Sequence, residues 1–172
     1  MKMKVIAMLA AFALTASAVQ GPELPRKVQN VEVLDLDGKP VKLPYFGEKN
    51  LMIFYVDPDR HKQNEDFTIE LEQNHRAESD NIHGFGVMNL KDAPMVPNGM
   101  ARNMAKKRTA KNGATVLADQ NRILSTAWAL GDCNNQFVLM IVSKEGELVF
   151  LRKGELSDAD KEAFYETIEK YK

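Results

Sequence analysis

Hydrophobic and polar positions change period along this chain, and each period predicts an element. Val31 and Val33 alternate with polar neighbours within Asn30 to Leu36, and Leu34 and Leu36 continue the run less strictly. Asp37-Gly38 then turns the chain toward a second short run, Val41 to Leu43, which predicts a β-hairpin. Leu51 to Val56 and Val138 to Val142 are apolar without a break. Such runs suit central strands covered on both faces, as in the parallel sheets of α/β folds. Phe85 to Leu90 and Thr115 to Ala118 are two weaker strands. Helix-prone stretches lie between them at Pro58 to Arg76, Met100 to Lys111 and Asn121 to Leu130. The last helix is the best marked, because Ser157 and Asp160 make a capping box and Phe164, Ile168 and Tyr171 follow at helical spacing. Strands alternating with helices predict right-handed parallel crossovers, and a turn at Lys144-Glu145-Gly146 closes the sheet with an antiparallel hairpin.

The first stretch follows a different logic. Lys2 and Lys4 precede an apolar run from Val5 to Leu14, and Ala16-Ser17-Ala18 supplies small residues in an A-x-A arrangement. This predicts a secretory signal peptide over residues 1–18, cleaved on export, and a single domain over residues 19–172. The apolar run falls short of the roughly 20 residues a membrane helix needs, and no second run occurs downstream, so no membrane span is expected after cleavage.

Charge adds little, and the cysteine count adds more. Lys and Arg number 23 against 24 Asp and Glu, a balance that gives the whole chain no pull toward nucleic acid or an anionic membrane. The basic run Lys106, Lys107, Arg108 and Lys111 lacks interleaved aromatics for base stacking and reads as a solvated helix face, so no nucleic-acid partner is expected. Cys133 is the single cysteine, which rules out an internal disulfide and leaves stability to packing.

Leu51-Met-Ile-Phe-Tyr-Val56 leading into a helix, and Phe137-Val-Leu-Met-Ile-Val-Ser-Lys-Glu-Gly146 leading into Leu148-Val-Phe150 and Lys153-Gly154, give the chain a layout that resembles thioredoxin-like and TlpA-like proteins. Several segments are similar more closely to the periplasmic YtfJ family: Asn98-Gly99-Met100, Val116-Leu117-Ala118-Asp119, Ala127-Trp128-Ala129-Leu130, Val142 to Gly146 and Lys153 to Ser157. The resemblance implies a periplasmic, thioredoxin-like three-layer α/β/α domain with a mixed central sheet and an N-terminal β-hairpin. It brings no activity with it.

Two departures from redox thioredoxins bear on function. Where their Cys-x-x-C opens a helix, this chain has Asp59-Arg60-His61-Lys62, with Asp57 suited to an N-cap and Pro58 to the first helical position. Where a proline usually precedes the third core strand, this chain has Gln136-Phe137. Asp57, Asp59, His61 and Gln136 are therefore the candidate binding residues, with no metal or cofactor expected. His61 with Asp57 and Asp59 offers a weak acid-base or metal cluster at a helix start, with a solvated helix terminus as the favoured reading; His75 reads as a surface helix residue and His83 as a strand-edge one. Cys133, in the loop Gly131 to Asn135, would face that helix start, where a helix N-terminus can depress a thiol pKa. It is the candidate catalytic residue of an alternative reading, a thiol-dependent peroxidase, reductase or redox sensor. Met95, Met100 and Met104 around the loop Lys91 to Gly99 are expected as core filler, with an adaptable partner surface or a Cu(I) site as the other readings. Trp128 is expected to pack. The favoured function is a non-catalytic binding or accessory domain for a periplasmic protein or small molecule.

Overall fold

The computed structural model describes residues 23–172. The predicted signal peptide over residues 1–18 lies outside them. The two unbroken apolar runs become neighbouring strands, β4 (Asn50–Val56) and β7 (Phe137–Val142), paired antiparallel from Leu51↔Val142 to Val56↔Phe137. All six residues of β7 are buried, the outcome expected of a strand covered on both faces.

The remaining strands are β1 (Arg26–Lys27), β2 (Glu32–Leu34), β3 (Pro40–Lys42), β5 (Ile82–Asn89), β6 (Val116–Asp119) and β8 (Glu147–Lys153). They form one mixed sheet in the order β1-β8-β7-β4-β5-β6-β2-β3. β4, β5 and β6 run parallel, while β7 and β8 are antiparallel neighbours on one side and the β2–β3 hairpin closes the other through Leu34↔Ala118. The hairpin turns where Asp37-Gly38 predicts it: Gly38 takes φ +85°, which favours glycine, and Asp35 Oδ1 accepts from the amides of Asp37 and Lys39. β1 has no counterpart in the sequence reading; its two residues pair with Leu148 and Glu147.

Among the described residues four helices accompany the sheet: α1 (Glu65–Asn74), α2 (Asn98–Asn112), α3 (Ile123–Ala127) and α4 (Asp158–Ile168). On one face α1 and α4 bury Phe67, Leu71, Phe164 and Ile168 against Leu139, Ile141 and Phe150. On the other, Leu124 and Trp128 join Val31, Val33 and Leu43 over Ile53, Tyr55 and Val87. Trp128 packs as expected, its Nε1 donating to the Gln29 carbonyl at 2.8 Å. α4 starts at the predicted capping box, with both of its hydrogen bonds formed.

The helix predicted over Pro58 to Arg76 is broken. Asp57 caps a single 3-10 turn, Pro58–Arg60, and α1 begins only at Glu65. The cause is long-range. Asn64 sits in the left-handed region at φ +61°, its amide donating to the Gly154 carbonyl at 2.9 Å and its oxygen accepting from the Leu156 amide at 2.8 Å. Gln63 Oε1 accepts from the Phe137 amide at 2.7 Å. The linker is thus tied to the ends of β7 and β8.

Candidate functional site

Each parallel strand ends in a buried side chain that bonds a neighbouring loop: Asp57 after β4, Asn89 closing β5 and Asp119 closing β6. The carboxyl edge of a parallel sheet is where α/β folds place ligands, and these three residues with Tyr55, Asp92, Arg122 and Cys133 define the candidate site.

Asp57 is fully buried. One carboxylate oxygen accepts from the Asp59 amide at 2.9 Å and the other from the Asn135 amide at 2.7 Å, while the Asp57 amide donates to the Gln136 carbonyl at 3.2 Å. Asp57 therefore clamps the loop entering β7 to the 3-10 turn. Burial pushes its pKa above the ordinary carboxylate value, the charges of Asp59 and Asp92 add to the rise, and the two amide donors oppose it.

The next strand contributes a charged network. Asn89 Nδ2 donates to Asp92 Oδ2 at 2.6 Å, and Arg122 grips Asp92 Oδ1 through Nε at 2.7 Å and through Nη2. Burial raises the Asp92 carboxyl, but the hydrogen bonds from Arg122 and Asn89 and the Arg122 charge outweigh it and hold the group below its usual range. Asp119 takes the amides of Asn121, Ile123 and Leu124 and the Tyr55 hydroxyl, so it both starts α3 and ties it to β4. Burial, reinforced by the Asp119 charge, pushes the Tyr55 hydroxyl far up.

Cys133 lies in the loop between α3 and β7, with 2% of its surface exposed and its thiol 3.6 Å from the Gly131 carbonyl. Asn89 Nδ2 also reaches the Cys133 carbonyl, at 3.5 Å. Burial pushes the thiol pKa up to about 11; Lys153 opposes the shift, and Asp132, Asp92 and Asp119 add to it. This environment keeps the sulfur protonated at neutral pH, whereas a nucleophilic cysteine needs its thiolate stabilised.

The structure brings Asp57, Asp59 and the Gln136 backbone together, with Cys133 on the same loop as Gln136. It does not bring His61 in. That side chain is exposed, its Nδ1 3.0 Å from the Pro58 carbonyl, and among the described residues no group of three His, Cys, Asp or Glu is placed to hold a metal. His75 is at the surface against Glu78, as expected. His83 corrects the expectation of a strand edge: it lies inside β5, half-buried between the rings of Tyr45 and Phe85. The methionines correct the expectation of core filler. Met95, Met100 and Met104 are 82%, 57% and 63% exposed: Met95 precedes α2, and α2 buries only Ala101, against Leu90 and Ala118. Lys107, Arg108 and Lys111 are exposed, as the solvated-face reading requires, and Lys106 pairs with Asp37 at 2.5 Å.

Asn89, Asp92, Asp119, Arg122 and Tyr55 escaped the sequence reading. The signal that could have found Asn89 and Asp119 was an Asn or Asp at or just past the end of three successive strands, the position that a parallel sheet brings to one edge.

No family model matches this sequence, and no curated protein does. Solved structures do. The exposed lipoprotein thioredoxin of Streptococcus pneumoniae strain TIGR4 superposes with a TM-score of 0.56 at 18% identity, over 83% of this chain and 99% of that one. A DsbF homologue from Corynebacterium diphtheriae gives 0.62 at 12% identity, over 92% and 99%. A peroxiredoxin-like protein from Aquifex aeolicus gives 0.60 at 14% identity, over 86% and 90%. Among the described residues no helix is long and apolar enough to cross a membrane. Identities this low show the fold alone: the chain has a thioredoxin-like α/β fold, and with Cys133 as its single cysteine it lacks the Cys-x-x-C motif.

Proposed function

We propose that this protein is a non-catalytic binding or accessory domain of the periplasm, similar to the YtfJ family and exported by a signal peptide over residues 1–18. Its partner, a protein or a small molecule, is recognised at the carboxyl edge of the sheet. The observation that carries the reading is the state of the edge where a thioredoxin-like fold would hold its attacking thiol. A fully buried carboxylate, Asp57, occupies that strand end and is spent on two backbone amides, and the single thiol is buried and pushed up to about 11. The exposed methionines on and before α2 support recognition, since flexible thioethers adapt to varied partners.

The test is the rate of Cys133 alkylation by iodoacetamide from pH 6 to pH 10 on folded protein, with unfolded protein as reference. The binding-domain reading expects folded protein to label at least 100-fold more slowly than unfolded protein at pH 8, and peroxide to be consumed no faster than by Cys133→Ser. A labelling profile with a midpoint well below about 8.5 and rapid reaction would replace it with the thiol-enzyme reading.

A further inference from the structure

The face of the sheet that carries α1 and α4 is incompletely covered. Between α1 and the end of α2 an open trough of about 840 Å³ runs down to the backbone of β5, a size within the range of small-molecule sites. Its floor is Met52, Phe54, Ile82, Gly84, Gly86 and Val116. It lies toward the amino end of β5, away from the carboxyl edge, so it stands independently of the reading given for that edge.

Two glycines inside a central strand need a reason, because glycine weakens a strand and marks a bulge, a bend or a close approach by another group. Gly84 and Gly86 share one face of β5. Pairing with β4 runs without interruption from Asn50↔Ile82 to Val56↔Met88, which excludes a bulge. Neither glycine has the positive φ that favours its kind. A Cβ on Gly86 would meet only ordinary contacts, Val116 Cγ2 at 3.5 Å and the Phe54 carbonyl at 3.9 Å, whereas one on Gly84 would fall 2.9 Å from Met52 Cε, the movable end of a flexible side chain, and 4.0 Å from the Met52 carbonyl. The tip of Met52 therefore lies over Gly84, while the space over Gly86 is open and no neighbour among the described residues demands it.

The rim has one sign. Glu72, Glu78 and Asp80 line the trough, and no lysine, arginine or histidine does. Glu78 has His75 as a partner, while Glu72 and Asp80 make no ion pair among the described residues. An apolar floor beneath unpaired carboxylates complements a ligand with an apolar body and a positive head. We propose that this trough binds a small organic cation of the alkylammonium class, its apolar part lying over Gly84 and Gly86 and its charge beside Glu72 and Asp80.

The test uses decyltrimethylammonium and decyl sulfate as probes, both below their micelle concentrations, titrated into the protein and followed by amide resonances. The cation is expected to saturate, to shift the amides of Ile82 to Gly86 and Val116, and to bind at least tenfold more tightly than the anion. Gly86→Val is expected to weaken it at least tenfold with an unchanged circular dichroism spectrum. The surface pair Glu72→Gln with Asp80→Asn, which leaves the floor intact, is expected to weaken it several-fold and to flatten its salt dependence. Equal binding of the two probes, shifts mapping elsewhere, or full binding by the charge-neutralised pair would overturn the proposal. So would failure of the cation to bind where a basic, apolar peptide does.

Discussion

Replacing Asp119 by alanine should remove more stability than any other single truncation on the carboxyl edge. Its carboxylate accepts four hydrogen bonds, from the Asn121 amide at 3.1 Å, the Ile123 and Leu124 amides at 2.9 Å each and the Tyr55 hydroxyl at 3.3 Å. Two of these donors differ from the others. The Leu124 amide and the Tyr55 hydroxyl meet Asp119 in the interior, where an abandoned donor costs roughly 1–3 kcal/mol. The amides of Asn121 and Ile123 are only partly buried and can turn to water, so their loss is closer to that of a helix cap, about 1 kcal/mol. Allowing for the long Tyr55 bond, the sum is about 3 kcal/mol, a large share of the roughly 5–15 kcal/mol that holds a domain together. Urea unfolding at 25 °C would measure it directly, and a thermal scan should show Tm falling by about 6–12 °C. Tyr55→Phe removes only the weakest of the four bonds and should cost about 1 kcal/mol or less. An Asp119→Ala loss under about 1 kcal/mol, or a Tyr55→Phe loss as large as that of Asp119→Ala, would refute the assignment of Asp119 as the residue that fixes α3 to the sheet.

The raised pKa of Asp57 makes a signed prediction. Its folded-state value lies above the unfolded value of about 3.9, so the protonated group's contribution is whole below pH 3.9 and is lost as pH rises through the folded pKa. Relative to Asp57→Asn, the unaltered protein should therefore lose stability in urea titrations as pH climbs from 4 toward 7, and a difference that grows in its favour would reverse the sign. At the other end of the chain, Ser157→Ala deletes the hydroxyl that accepts from the Asp160 amide and donates to its carboxylate, and should destabilise by about 1 kcal/mol in the same assay. A change below about 0.3 kcal/mol would mean that Asp160, which also pairs with Arg152, starts α4 without it.

How far the sequence could be read depended on how local each feature is. The hairpin at Asp37-Gly38, the buried runs Leu51 to Val56 and Val138 to Val142 and the Ser157 cap rest on neighbouring residues, and their elements formed close to where the pattern put them. β1 could not be read, because Arg26 and Lys27 are a strand only by pairing with Leu148 and Glu147. The break before Glu65 was hidden for the same reason: Asn64 looks like an ordinary helix residue until Gly154 and Leu156 are beside it. In the site, Asp57 was legible as a cap, since capping is local. Asp92 and Arg122 are 30 residues apart, and Tyr55 and Asp119 are 64 apart, so those pairs exist only once β4, β5 and β6 lie side by side. The outward turn of Met100 and Met104 depends on where α2 rests, which its own sequence does not encode, because the helix has no continuous apolar stripe to aim inward.

The two margins of the sheet limit how other chains can approach it. One margin is β1, two residues long, and the other is β3, three residues long and opening with Pro40, which has no amide hydrogen to offer. An incoming strand would find too few free backbone groups at either side to extend the ladder, and short edges of this kind are how native sheets resist end-on polymerisation. A chain that gathers its longest, most apolar strands at the centre and leaves stubs outside disfavours edge-to-edge pairing with a second copy. The same protection means that recognition of a protein must proceed through side chains and loops, since strand addition has no template here.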